Sequence, residues 1–164
     1  MNLAEPCVTA PWIIACMAGP SLFERAGGEA AFLALAAAHH RRCLEDPELN
    51  HPFSQGVSPM HVERLAWYWA EALGGPARFS VSGGSQSAML TLHANNGSMD
   101  DLGRRFVACF VGAMDDAGLP DDPGLRASLR AYMEWSLRDV LVYAPHGSEV
   151  PEGLLVPRWP QAPT

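Results

Sequence analysis

The chain has 164 residues, is 48% hydrophobic and carries a formal net charge of −7, with a pI near 5.2 and a mean hydropathy of −0.01. These values describe one domain of a size that encloses a core and a pocket. They argue against a nucleic-acid surface, since binding its phosphates needs clustered cations, and against an anionic membrane surface; here the cations are mostly scattered arginines and lysine is absent.

Residues 1–20 read as an arm with one apolar patch, Trp12-Ile-Ile-Ala. The apolar stretch around Val8 to Ala18 has no basic region before it and is interrupted by Glu5, Pro6 and Pro11, so it does not read as a signal peptide. No stretch is long enough to span a bilayer. Cys7, Cys16, Cys43 and Cys109 lack CxxC spacing and read as reduced thiols of a cytoplasmic protein rather than zinc ligands. Cys43 and Cys109 fall within helical patterns, as small core residues.

Ser21-Leu-Phe-Glu24 is a capping box, and the short helix it opens stops at Gly27-Gly28. From Glu29 the spacing of Phe32, Leu33, Ala36, Ala37, His40, Cys43 and Leu44 predicts a helix with His40 on its apolar stripe and His39 on the flank. Asp46-Pro47 ends it. Phe53 lies in a turn and is expected to point over a core edge.

Ser58-Pro59 predicts a helix start. That helix runs to Leu73 with His61, Leu65, Tyr68, Trp69 and Ala72 along one side. Trp67, Tyr68 and Trp69 cannot all face one pocket: Tyr68 or Trp69 is expected on a ligand side, and Trp67 in ordinary packing. Gly74-Gly75-Pro76 terminates the helix, and Ala77 to Ser82 reads as a loop.

A short helix then ends at His93, before Asn95-Asn-Gly-Ser98. A long helix places Leu102, Phe106, Cys109, Phe110, Ala113 and Met114 at core spacing and ends at Gly118-Leu-Pro120. The last begins at Pro123, carries Leu125, Leu129, Tyr132, Met133, Trp135, Ser136 and Val140, and fades near Tyr143-Ala-Pro145. Residues 146–164 form a proline-rich tail. No segment reads as a strand, so the class is all-α, with a domain spanning residues 21–145.

The segments Leu22-Phe-Glu-Arg-Ala-Gly-Gly-Glu29, Leu44-Glu-Asp-Pro-Glu-Leu49, Ala72-Leu-Gly-Gly-Pro-Ala-Arg-Phe79, Leu92-His93-Ala94 and Ala113-Met-Asp-Asp-Ala-Gly-Leu119 resemble the truncated haemoglobins, group II, in order and spacing. The resemblance implies a two-over-two helical sandwich enclosing haem b, with N- and C-terminal extensions. His93 matches the proximal iron ligand, and Phe53 the aromatic against the haem. His40 stands where the family usually has a ligand-binding tyrosine, and His61 at the distal-histidine position. Leu65 lines the distal side, Met89 packs under the haem, and Tyr68 or Trp69 contacts the cofactor side. Phe106 stands where group II members typically carry a tryptophan that bonds the ligand. Phenylalanine cannot donate, so ligand stabilisation falls to His40, His61 or water.

The resemblance therefore implies binding of oxygen or another diatomic such as nitric oxide. A distal histidine pair equally suits a redox enzyme: a peroxidase, a nitric oxide dioxygenase or a nitrite reductase. Such an enzyme would act on peroxide or nitrite and needs a reductase partner, since the chain carries no flavin or nicotinamide motif. A distal histidine bound to the iron would instead give a six-coordinate protein for electron transfer or sensing. A globin fold without haem, serving as an interaction module, ranks last.

Overall fold

The computed structural model describes residues 19–50, 58–97 and 100–159. Its helices are α1 (Leu22–Ala26), α2 (Gly28–Glu45), α3 (His61–Ala72), α4 (Arg78–Val81), α5 (Gln86–His93), α6 (Asp100–Asp116) and α7 (Pro123–Val142). Among the described residues there is no strand, and no helix is long and apolar enough to cross a membrane. Residues 1–18 of the arm, Phe53, Ser98 and the last five residues lie outside the described residues.

The local signals act where they stand in the sequence. Ser21 Oγ accepts from Glu24 N at 3.2 Å while Glu24 Oε2 accepts from Ser21 N at 2.8 Å, closing the capping box of α1. Gly27 follows at φ 111° and starts α2 at once. Asp122 caps α7 by accepting from Leu125 N at 3.0 Å, with Pro123 in the first turn. The same carboxylate takes Arg25 at 2.8 Å, so the start of α7 is tied to α1.

Three departures from the sequence pattern have physical causes. First, α3 begins at His61 because Ser58 Oγ and Ser58 O hold Met60 N and His61 N in a preceding turn. Second, the expected loop at Ala77–Ser82 contains the one-turn α4. Phe79 is buried there, and the buried Glu71 carboxylate accepts from both the backbone N–H and the hydroxyl of Ser80. A carboxylate from the preceding helix thus organises a turn with little propensity of its own.

Third, the buried stripe of α2 is Phe32, Leu35, Ala36, Ala38, His39 and Cys43. Leu33 and Leu44 are exposed, at 43% and 40%. The stripe is rotated so that His39 enters the core and His40 takes the flank.

The helix pairs α2 with α3 and α6 with α7 pack within themselves, and α2 also lies on α6. Their shared core joins Phe32 and Leu35, Trp69 and Leu73, Phe110 and Met114, and Leu129 and Tyr132. Gly75 permits the close entry of α1: a Cβ there would stand 2.8 Å from Phe23 Cδ2 and from Ala70 O. Beyond α7 the chain turns back over the domain. Trp159 N donates to Ala72 O at 2.8 Å, and its ring lies 5.2 Å from Trp135 and 6.0 Å from Tyr132.

Phe110 is fully buried and meets Trp69 edge-on at 5.1 Å. Phe110→Ala opens a cavity among three helices and is expected to cost about 3–5 kcal/mol in urea unfolding. Leu33→Ala, on the exposed side of α2, should cost under about 1 kcal/mol.

Candidate functional site

Eight residues make a helix too short to hold itself, so α5 depends on external partners. At its start, Ser85 Oγ accepts from Ala88 N at 3.1 Å. The next residue, Gln86, is buried and bridges two other helices. It accepts from the Tyr68 hydroxyl at 2.7 Å and donates to Asp139 Oδ2 at 2.7 Å. Burial raises the Tyr68 phenol to about 12, so it remains a donor.

The C-terminal segment holds the same turn. Gln86 N donates to Leu154 O at 3.1 Å, Ser87 Oγ donates to Pro151 O at 2.7 Å, and Leu154 N donates back to Ser87 Oγ at 2.9 Å.

The far end of α5 is fixed in the same manner. Asn95 takes a left-handed conformation at φ 63°, which asparagine tolerates better than most residues. Its Oδ1 accepts from Gly147 N at 2.6 Å and Ser148 N at 3.0 Å. Asn95 N and Gly97 N donate to Tyr143 O and Ala144 O, each at 2.9 Å. The loop after His93 is thereby stitched to the end of α7.

On this platform the His93 imidazole is exposed. Its Nδ1 lies 2.8 Å from Met89 O, one turn earlier. A carbonyl only accepts, so Nδ1 is the donor in this bond, and Nε2 is the ring nitrogen it leaves unengaged. Such a hydrogen bond fixes the tautomer of a ligating histidine. Among the described residues no three His, Cys, Asp or Glu side chains cluster to hold a metal ion.

His40 of α2 and His61 of α3 stand together, with ring centroids 5.0 Å apart and planes inclined by 50°. Burial lowers the pKa of both, and repulsion from His40 and then His93 lowers that of His61 further. His93 is thus near enough to act on His61, and the lowered pKa values favour the neutral form of His40 and His61 at neutral pH.

Behind them His39 is fully buried, and its pKa falls to about 3, chiefly through burial. Its ring meets Phe106 at 4.4 Å, Trp69 at 5.3 Å and Phe110 at 5.9 Å, all edge-on. The sequence reading put His39 on the flank. The spacing of Leu35, His39 and Cys43, four residues apart, carries the signal for its burial.

The remaining expected site residues spread around this centre. Phe106, Leu65 and Met89 are half-buried against the core. Trp69 faces α2 and α6, whereas Tyr68 turns to Phe79 and to Gln86 of α5. Trp67 lies on the outer face beneath the Arg78 guanidinium, 5.8 Å from its ring. Phe53 lies outside the described residues. Gln86, Asn95 and Asp139 were not singled out from the sequence. A glutamine at the start of a short helix, four residues before the buried Leu90, was the available cue.

The model of the bacterial-like globin family matches residues 21–134. Among solved structures, the fold is similar to a thermostable hemoglobin from Thermobifida fusca, with a TM-score of 0.62 and 23% identity over 74% of this chain and 97% of that one. It is also similar to the hemoglobin of Chloroflexus aurantiacus, with a TM-score of 0.64 and 24% identity over 75% and 98%. A third similarity is to the group II truncated hemoglobin of Bacillus anthracis, with a TM-score of 0.65 and 18% identity over 80% and 97%. No curated protein matches the chain.

Gln86→Ala would strand the buried Tyr68 hydroxyl and the Asp139 carboxylate together. It is expected to cost about 2–3 kcal/mol in urea unfolding. Tyr68→Phe removes a single donor and should cost about 1 kcal/mol.

Proposed function

We propose, for a chain that belongs to the bacterial-like globin family, that it is a group II truncated haemoglobin. In this reading it binds haem b through His93 and holds oxygen or another diatomic beside His40 and His61. Membership of the family implies a haem-binding globin. The observation that carries the finer reading is the His93 Nδ1–H bond to Met89 O, which aims Nε2 away from its own helix as a neutral donor. When bound, haem would supply an iron that His93 would hold and that can take a small ligand.

The chain's own residues then divide the work. The clamps on Gln86, Ser87 and Asn95 keep His93 from tilting. His40 and His61 are neutral, and each carries one ring N–H that can donate to a ligand oxygen bearing partial negative charge. Phe106 contributes shape and no donor. Its packing on His39, which lies next to His40 in the chain, supports the distal wall from behind.

The His40–His61 pair also favours a second reading, in which the two rings pass a proton to a peroxide or nitrite oxygen. That chemistry needs electrons from a reductase partner.

Oxygen dissociation from the haem-loaded protein tests the distal assignment. His61→Ala and His40→Ala should raise the dissociation rate, the larger effect being about tenfold, equivalent to about 1.4 kcal/mol for one hydrogen bond. Unchanged rates in both variants would remove the histidines from the ligand. A low-spin spectrum without added ligand, made high-spin by one of these substitutions, would instead place that histidine on the iron.

A further inference from the structure

The family model's match ends at residue 134, and residues 146–159 lie beyond it. They return along α5, a helix of eight residues and so about 12 Å long. Just past the end that carries His93, Asn95 Oδ1 accepts from Gly147 N and Ser148 N, and Asn95 Nδ2 donates to Ser148 O at 3.2 Å. At the opposite end Ser87 Oγ donates to Pro151 O and accepts from Leu154 N, while Leu154 O accepts from Gln86 N. The segment is thus fastened at both ends of the helix.

It then leaves α5 and closes on two other helices. Trp159 N donates to Ala72 O at 2.8 Å, filling one of the carbonyls that the end of α3 leaves open. The Trp159 ring lies 5.2 Å from Trp135 and 6.0 Å from Tyr132, both on α7. Between these fastenings little is buried: Glu152 and Gly153 are exposed, and Leu155 is 86% exposed. Val156 and Trp159 pack against the core, and the indole is much the larger apolar surface. The hold of the segment is therefore concentrated at its far end.

We propose that residues 146–159 form a strap that positions His93, with Trp159 as the latch that keeps it closed. The inference rests on His93 as the iron ligand. An isolated helix as short as α5 does not persist, and the strap supplies order at its first turn through Ser87 and at the following loop through Asn95. Trp159 ties that strap to the last turn of α3, the helix that begins at His61. With the latch open, the grip on Ser87 loosens, α5 samples several directions, and His93 presents Nε2 over a range of angles. Haem is then held less firmly. Trp159 is a positioning residue, acting through Ser87 and α5.

Hydrogen exchange of the full chain, with and without haem, and haem transfer from the loaded protein to excess apomyoglobin test the strap. In Trp159→Ala and Ser87→Ala the amides of α5 should exchange about tenfold faster, while those of α2 and α6 keep their wild-type rates. Haem transfer should also be about tenfold faster, the scale expected when a group that orients a ligating histidine is lost. The iron–histidine stretching band of the reduced protein should broaden. Trp159→Phe should keep most of the protection, and Leu155→Ala should match wild type throughout.

Faster exchange across the whole chain would reduce Trp159 to global stability and overturn the proposal. Unchanged exchange in α5 would overturn it too, as would faster exchange there with haem transfer and the stretching band unmoved. Exchange without haem involves no iron. Haem retention by His93→Ala would therefore defeat the reading of His93, and with it the positioning role, while the grip of the strap on α5 is decided separately.

Discussion

The structure turns on the immobilisation of an eight-residue helix that could not persist alone. At the start of α5 the Gln86 N–H donates to Leu154 O, and just past its end the Asn95 and Gly97 N–H groups donate to Tyr143 O and Ala144 O. The one buried polar side chain in it, Gln86, satisfies a phenol from α3 and a carboxylate from α7 at once. Burying such a network is favourable only when every member is paired. Here the pairing also fixes the helix axis, so the direction of the His93 ring is settled by residues on α3, α7 and the segment after them. The fold therefore supplies orientation where local helix propensity could not.

The other half of the site rests on burial acting on charge. Imidazoles set this close would repel if protonated. Burial lowers the pKa of both His40 and His61, and repulsion from His40 and His93 lowers that of His61 further. A neutral imidazole has one donor and one acceptor, which suits the ligand role proposed for the pair without placing a full cation there. His39 belongs to the packing behind the two rings. It joins the α2 stripe to Phe106 and Trp69 and contacts the sulfur of Cys43.

Much of the fold was legible because its boundaries are set by short-range chemistry. Ser21 with Glu24, Gly27, Asp122 with Pro123, and the glycines after α3 act within three or four residues of where they stand. The rotation of α2 was not legible, since His39 and His40 both fit a three-to-four residue spacing and the choice depends on which neighbour covers each. Nor was α4, whose turn is held by Glu71 from the preceding helix.

For the site, His40, His61 and His93 stood out by residue type, and the structure brings the first two together, with His93 near enough to act on His61. The partners of α5 were invisible because Tyr68, Asp139, Gly147 and Leu154 reach it from far along the chain. A proline-rich end gave no sign that it would hydrogen-bond Ser87 and lay Trp159 over Tyr132.

The central claim is that His93 is the iron ligand, and haem titration of the apoprotein followed by visible spectroscopy tests it most directly. Wild-type protein should take up one haem per chain and develop a Soret band. His93→Ala should fail to retain the haem while keeping its helical circular dichroism, and added imidazole should restore the band. Undiminished haem retention and an unchanged spectrum in His93→Ala would contradict the assignment.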